Sequence, residues 1–268
     1  MVLNKAGVSN PRLDCQAFAD VEMEVPVGAT VQVQTRDGDI MIAGVSGAYA
    51  GSQSGDITIE RVTKLVEAGS VGGSISLKNS SGRINLSSAG GAIDVANVRS
   101  VKAEDTFEVG TVSGDIQLDR VSIPKVIAKT VNGTVTMTGP LAKSGWYGFT
   151  NMTGDIVLGL PADASFQLQA TVSEKHDIVS DFKLTYLNDP PQPPQPPQTR
   201  QPAPAPEAKS KPAEKKPLPK GGPIVQPIVV ARQSQPSFVL RRVNAICGTG
   251  DATISVNSFG GTVRLKKI

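Results

Sequence analysis

A five-residue string, Gly-x-[Ile/Val]-x-[aliphatic], recurs along this chain at a spacing that leaves few folds open. It reads GDIMI at 38–42, GDITI at 55–59, GSISL at 73–77, GRINL at 82–86 and GAIDV at 91–95. It continues as GDIQL at 114–118, GTVTM at 133–137, GDIVL at 154–158 and GTVRL at 261–265. Ahead of the glycine, apolar residues tend to stand seven and five positions earlier and Ser or Thr three earlier, as in Val66, Ala68, Ser70 and Gly73. The first apolar positions, Val31, Ile40, Ala48, Ile57, Val66, Ile75, Ile84 and Ile93, are nine apart except for one step of eight. Phe107 to Ile116, Val126 to Val135, Tyr147 to Ile156 and Ile254 to Val263 keep the step of nine.

Such a unit is a short strand with apolar side chains at i and i+2 on one face, followed by a polar turn. One unit cannot bury its apolar edge alone, whereas stacked units share a narrow continuous core. The pattern therefore predicts an all-β, single-stranded β-solenoid, β-helix-like, of about nine-residue units. Because strong and weak copies alternate, two units make a coil of roughly 18 residues, with a three-unit coil as the alternative. Ile75, Ile84 and Ile93 are predicted to point inward and Ser76, Asn85 and Asp94 outward. The turn glycines are expected to hold positive φ.

Composition agrees with a thin core. Aromatics make up only 4% of the 268 residues, so branched aliphatics must fill the interior. The pattern breaks after Leu158, and residues 190–227 hold 14 of the 20 prolines, which bars them from a sheet. Four segments follow: an N-terminal lead-in over 1–20, solenoid repeats over 21–188, a basic, disordered, Pro-rich insertion over 189–236, and a C-terminal repeat over 237–268. That last repeat completes the same solenoid, stacking on the coil of Tyr147–Leu158 or on strands from 160–186. The formal charge is +3, and the insertion alone carries seven Lys or Arg against three acids. So small a charge does not point to nucleic acid. Cys15 and Cys247 fit no metal-ligand spacing, and two free thiols are the default. No apolar run is long enough to span a membrane, and the opening MVLNKAGVSNPRLDC lacks the apolar core of a signal peptide.

GDITIERV, VSGDIQLDRV, TGDIVLGLPADASFQLQA and the closing FGGTVRLKK resemble an adhesin-named family of bacterial proteins with β-strand repeats, a domain of unknown function. The resemblance covers about residues 21–188 and 237–268. It implies a β-solenoid that is exported, periplasmic or at the cell surface, with a cytoplasmic location as the alternative, and it supplies no catalytic residues. A second resemblance is to bactofilins, self-polymerising cytoskeletal scaffolds that pair a β-helical core with proline-rich segments.

No residue is assigned a catalytic, cofactor-binding or metal-binding role. Asp39, Asp56, Asp115, Asp155 and Asp251 follow turn glycines, but the register of a calcium-binding β-roll needs Asp two before the inward aliphatic, so a turn role is expected. His176 is the only histidine, with no nucleophile-elbow context, and is read as a surface or loop residue. Trp146, Tyr147 and Phe149 are read as core or cap packing, with a contact patch as the alternative. The expected function is a non-catalytic scaffold or adhesin-like protein of the cell envelope, with a β-helical carbohydrate-active enzyme as the third reading. Its expected partner is an envelope polymer or a protein, with self-association through the solenoid edges also open.

Overall fold

The computed structural model describes residues 20–173, 177–187 and 240–268. The lead-in to residue 19, Cys15, His176 and the Pro-rich insertion lie outside the described residues. Twenty strands and no helix occur among those described. The first coils are β1 (Thr30–Gln34) and β2 (Ile40–Ala43), β3 (Gly47–Ser52) and β4 (Ile57–Glu60), and β5 (Leu65–Ser70) and β6 (Ile75–Lys78). Next come β7 (Arg83–Ser88) and β8 (Ile93–Arg99), β9 (Thr106–Ser113) and β10 (Ile116–Ser122), and β11 (Lys125–Asn132) and β12 (Val135–Thr138). β13 (Trp146–Thr153) and β14 (Ile156–Leu160) close this regular series. Odd strands pair in parallel with odd strands in one sheet, and even with even in the other. The coil is therefore two-sided, and the β-solenoid read from the repeat is the fold.

Alternation sets which side chains meet. One sheet stacks Ala48, Val66, Ile84, Phe107, Val126 and Tyr147 in one column. The other stacks Ile40, Ile57, Ile75, Ile93, Ile116, Val135 and Ile156. Every one of these residues is buried, and each aliphatic so placed contributes about 1.5–3 kcal/mol by leaving water. Asn85 and Asp94 face outward and are exposed, and Ser76 faces outward and is half-buried. The first coils follow one another at 17 and 18 residues, close to the expected period. Later coils are longer, reaching 23 residues between Ile93 and Ile116, where the segment 100–105 is inserted. The larger core side chains, Phe107, Tyr147, Phe149 and Phe166, all belong to this later part.

Beyond β14 the chain stops following the axis in order. β15 (Phe166–Ser173) and β16 (Ile178–Ser180) do not pair with β13 and β14. The strands from the chain's end lie between them: β19 (Ala252–Ser258) pairs in parallel with both β13 and β15, and β20 (Val263–Lys267) with both β14 and β16. Ile254 thus sits between Tyr147 and Leu168, and Val263 between Ile156 and Ile178. β18 (Leu240–Cys247) then runs antiparallel along the far side of β15, and the two-residue β17 (Thr185–Tyr186) pairs with β18. The C-terminal repeat is an internal coil, contacting both of the neighbours that the repeat pattern allows it.

Candidate functional site

The solenoid has two long edges where the chain turns from one sheet to the other, and the polar chemistry of the repeat collects there. At the first edge the glycine of each repeat except GRINL stacks on its counterpart: Gly38, Gly55, Gly73, Gly91, Gly114, Gly133, Gly154 and Gly261 form one column, whereas Gly82, with a φ of 96°, lies at the other edge. A Cβ added at Gly55 would run into the carbonyl of Gly38, one at Gly114 into that of Gly91, and one at Gly261 into that of Gly154. Positive φ accounts for few of these positions. Gly133 and Gly154 hold it, whereas Gly38, Gly55, Gly73, Gly91, Gly114 and Gly261 do not. The expectation of left-handed corners is corrected here: most of these glycines are required by coil-to-coil approach.

A buried hydroxyl column runs beside the glycines and explains the Ser or Thr three positions earlier. The Ser70 hydroxyl accepts the Gly73 N–H at 2.9 Å and donates to the Gly55 carbonyl of the preceding coil at 3.4 Å. Ser88 accepts from Gly91 at 2.9 Å and donates to Gly73 at 3.1 Å. Thr111 and Thr130 donate to the Gly91 and Gly114 carbonyls at 3.1 and 3.2 Å. In the Tyr147 coil Asn151 takes this place, its amide donating to the carbonyls of Gly133 and Gly154. These bonds satisfy turn groups that burial would otherwise leave unpaired.

The aspartates next to the glycines act between coils. A carboxylate oxygen of Asp39 accepts the N–H of Asp56 at 2.9 Å, and one of Asp56 accepts that of Ser74 at 2.7 Å. Asp115 accepts from Thr134 at 2.7 Å and Asp155 from Thr262 at 2.8 Å. Asp251 does not belong to this series. It lies in the turn between β18 and β19, where its carboxylate accepts from the Thr249 hydroxyl at 2.9 Å. Among the described residues no group of three or more His, Cys, Asp or Glu side chains is placed to hold a metal ion.

At the second edge a different column appears. Gly44, Arg61, Asn79, Asn97, Arg120 and Gly139 all have positive φ, from 50° at Asn79 to 129° at Gly139. Four of the six are Gly or Asn, the residue types that take this conformation most readily, and the two Arg are the exceptions. The left-handed conformation costs a residue with a Cβ roughly 1–2 kcal/mol. Arg61→Gly is therefore expected to raise stability by up to about 1 kcal/mol, allowing for glycine's greater freedom when unfolded. Gly114→Val, where the obstacle is a backbone carbonyl, should lower stability by about 1–3 kcal/mol or more. Denaturant melts of both variants check the assignment. Equal effects at the two positions would contradict this division between the edges.

The inserted segment 100–105 widens this second edge. Both hydroxyl and backbone donors converge on Asp105, whose Oδ2 accepts the N–H groups of Val101 and Lys102 at 2.7 Å each and the Ser100 hydroxyl at 3.2 Å. Burial raises the pKa of this carboxyl, but those hydrogen bonds and the nearby Lys102 charge outweigh it and hold the pKa below the ordinary carboxylate value. A depressed pKa in the folded state means stability that is present above the unfolded value, about 3.9, and lost as the pH falls through the folded value. Asp105→Ala should cost about 1–3 kcal/mol at neutral pH. Thermal melts of the two proteins should converge below about pH 3.9. An unchanging difference down to acid would assign the loss to packing instead. Next to this segment an open groove of ≈ 550 Å³ is lined by Asn97, Arg99, Arg120, Ser122, Pro124 and Pro140, among others.

The aromatic cluster divides. Tyr147 and Phe149 are core residues, and the Tyr147 hydroxyl accepts the Ala142 N–H at 2.7 Å. Trp146 is 39% exposed and its ring lies across Gly148 on the outer face. The LPADASF segment fastens the C-terminal coil. The Ser165 hydroxyl accepts the N–H groups of Thr249, Gly250 and Asp251 at 2.9–3.2 Å, and the Phe166 ring meets Phe182 edge-on at 5.5 Å. Cys247 forms no disulfide among the described residues; it is half-buried, with its thiol 3.6 Å from the Ala164 carbonyl. No helix among the described residues is long and apolar enough to cross a membrane, which says nothing of β-barrels.

Comparison with protein families matches residues 13–186 to the family described as Toastrack DUF4097, which covers well over half of the chain. No curated protein and no solved structure matches. The resemblance in the sequence thus stands at the level of a domain of unknown function built of β-strand repeats.

Proposed function

Because the chain belongs to the Toastrack DUF4097 family, we propose that it is a non-catalytic β-solenoid scaffold of the bacterial cell envelope or surface, adhesin-like in offering its outer faces for contact. One observation carries this reading: the polar side chains that recur with the repeat are engaged in holding coil to coil. Asp39, Asp56, Asp115 and Asp155 each accept a backbone N–H from the next coil, and the Ser and Thr column bonds the glycine carbonyls. Side chains so engaged serve a regular surface and not a reaction. Fractionation of cells carrying the tagged full-length protein tests the location. The reading expects the protein with the envelope or outside the cell, and a purely cytoplasmic pool would overturn it.

A second reading has an observation of its own. β1 and β2 stand at the open end of their sheets among the described residues, and Val31 and Val33 of β1 are only half-buried. Unpaired strand edges are templates for another chain, as a bactofilin-like polymer would require. Sedimentation of the purified full chain distinguishes the two, since that reading expects filaments from a cytoplasmic protein. The third reading, a carbohydrate-active enzyme, requires turnover of some member of a polysaccharide panel.

A further inference from the structure

The two edges of the solenoid carry opposite charge. At the glycine edge the turns between residues 35 and 155 hold Asp37, Asp39, Asp56, Asp115 and Asp155 against a single base, Arg36. At the second edge, in the turns of five coils between residues 60 and 145, nine Lys or Arg face four acids. Arg61, Lys64, Lys78, Arg83, Arg99 and Arg120 come from four successive coils and are all exposed. Lys102, Lys125 and Lys143 extend the same strip and are also exposed. Among the described residues only Arg61 and Arg120 of the strip are paired, with the adjacent Glu60 and Asp119 at 3.3 and 2.8 Å. The other cations of the strip make no ion pair among the described residues.

Stacking makes this a row and not a scatter. Coils repeat at about 4.8 Å, so the strip spans roughly 20 Å along the axis with a cation or two at each step. Like charges held this close repel one another, and an extended polyanion laid along the axis would relieve that repulsion at every coil. Between the cations stand amides and hydroxyls. Asn97 Nδ2 donates to Asn79 Oδ1 at 3.1 Å, and Ser122 lines the groove beside Arg99 and Arg120. No Phe, Tyr or Trp occurs in the turns of this strip (60–64, 78–83, 96–106, 119–125 and 138–145). It therefore offers no row of platforms for stacking successive bases, which single-stranded nucleic acid binding uses, the exposed Trp146 just past its last turn being a single ring. Arginine forks with neighbouring amides and hydroxyls instead match carboxylates set among sugar hydroxyls.

We infer that the second edge is a binding strip for a linear, carboxylate-bearing polysaccharide lying along the solenoid axis, seated in the groove between Arg99 and Arg120. The inference rests on the reading of the solenoid as a contact-presenting scaffold and names the chemistry of one partner. The acidic glycine edge repels the same polymer and confines it to one side.

The test uses the purified full chain with polygalacturonate, neutral dextran and single-stranded DNA as probes, at about 50 and about 300 mM salt. Polygalacturonate is expected to bind and to weaken about tenfold or more at the higher salt, with dextran inert and DNA weaker. Reversing Arg83, Arg99 and Arg120 to Glu should reduce polygalacturonate affinity by about tenfold or more. Reversing Arg36, Lys129 and Arg264, off the strip, should change it by less than about threefold. If the triple reversal does not fold, Arg99→Gln with Arg120→Asn serves, with a proportionate loss expected. The Pro-rich lysines are unchanged throughout, so only the strip is read. Equal losses from both sets, no binding at low salt, or tighter binding of DNA would overturn the proposal. So would a triple reversal that disperses self-associated protein while leaving polygalacturonate affinity intact. None of these outcomes bears on the fractionation test of the scaffold reading, so the two can fail separately.

Discussion

A chain stopped at Asn188 should lose cooperative unfolding and aggregate, although it retains every repeat of the regular series. The cause is the position of the missing strands. β19 and β20 are the layer between β13/β14 and β15/β16, bonded on both sides along their length. Removing them opens a gap, uncovers Tyr147, Phe149, Ile156 and Leu158 on one side, and leaves Phe166, Leu168 and Ala170 without a partner on the other. It also deprives the Ser165 hydroxyl of the turn at 249–251. Unpaired parallel edges backed by apolar side chains are aggregation sites. The complementary deletion should be mild. Tyr186 pairs with Ala245, so Leu240 lies about five strand residues, roughly 17 Å, further along β18. Replacing 190–227 by a Gly/Ser linker spans that distance at little entropic cost, because closure entropy varies slowly with loop length. Circular dichroism and melting of the two shortened proteins decide the matter. A soluble, equally stable 1–188 fragment would show that the C-terminal coil is dispensable.

Ile84→Asp should prevent folding, while Asn85→Asp, one residue away, should leave stability within about 0.5 kcal/mol. Ile84 is 1% exposed and lies between Val66 and Phe107. The substitution forfeits about 1.5–3 kcal/mol of apolar burial and adds a buried polar group worth a further 2–7 kcal/mol without a partner, by rough transfer estimates. Against a typical total stability of roughly 5–15 kcal/mol, that is enough to populate unfolded chains. Asn85 faces solvent on the opposite side of the same strand. Urea melts read both variants, and similar losses in the two would mean that the register is out by one residue.

How much of this fold is legible in the order of residues follows from the range of each interaction. The inward column is written locally, because strand alternation has a period of two and a one-residue slip would turn Ile75, Ile84 and Ile93 to solvent. The glycines are legible as corners, but the reason for most of them is not. Positive φ is a property of one residue, whereas the collision of a Cβ at Gly55 with the carbonyl of Gly38 exists only once two coils are stacked. The Ser and Thr column is visible as a recurring letter. Its double bonding, to the N–H of one glycine and the carbonyl of another, exists only in the stack.

The second edge is not legible in this way. Its left-handed column is Gly, Arg, Asn, Asn, Arg and Gly in turn, and although Gly and Asn favour that conformation, the two Arg are held in it by the coils above and below. Its charge is equally hidden, since Arg61, Arg83 and Arg99 are scattered along the chain and become a row only when each coil rises one strand spacing. Asp251 is the converse case, a local Gly-Asp string that the tertiary turn puts to another use. The stacked coil and its core are fixed by residue order, because both rest on short-period alternation repeated many times. The order of the coils at the C-terminal end is a property of the assembled fold. There β19 meets β13 from 107 residues away, a pairing chosen by which strand edge was free and not by any signal between neighbouring residues.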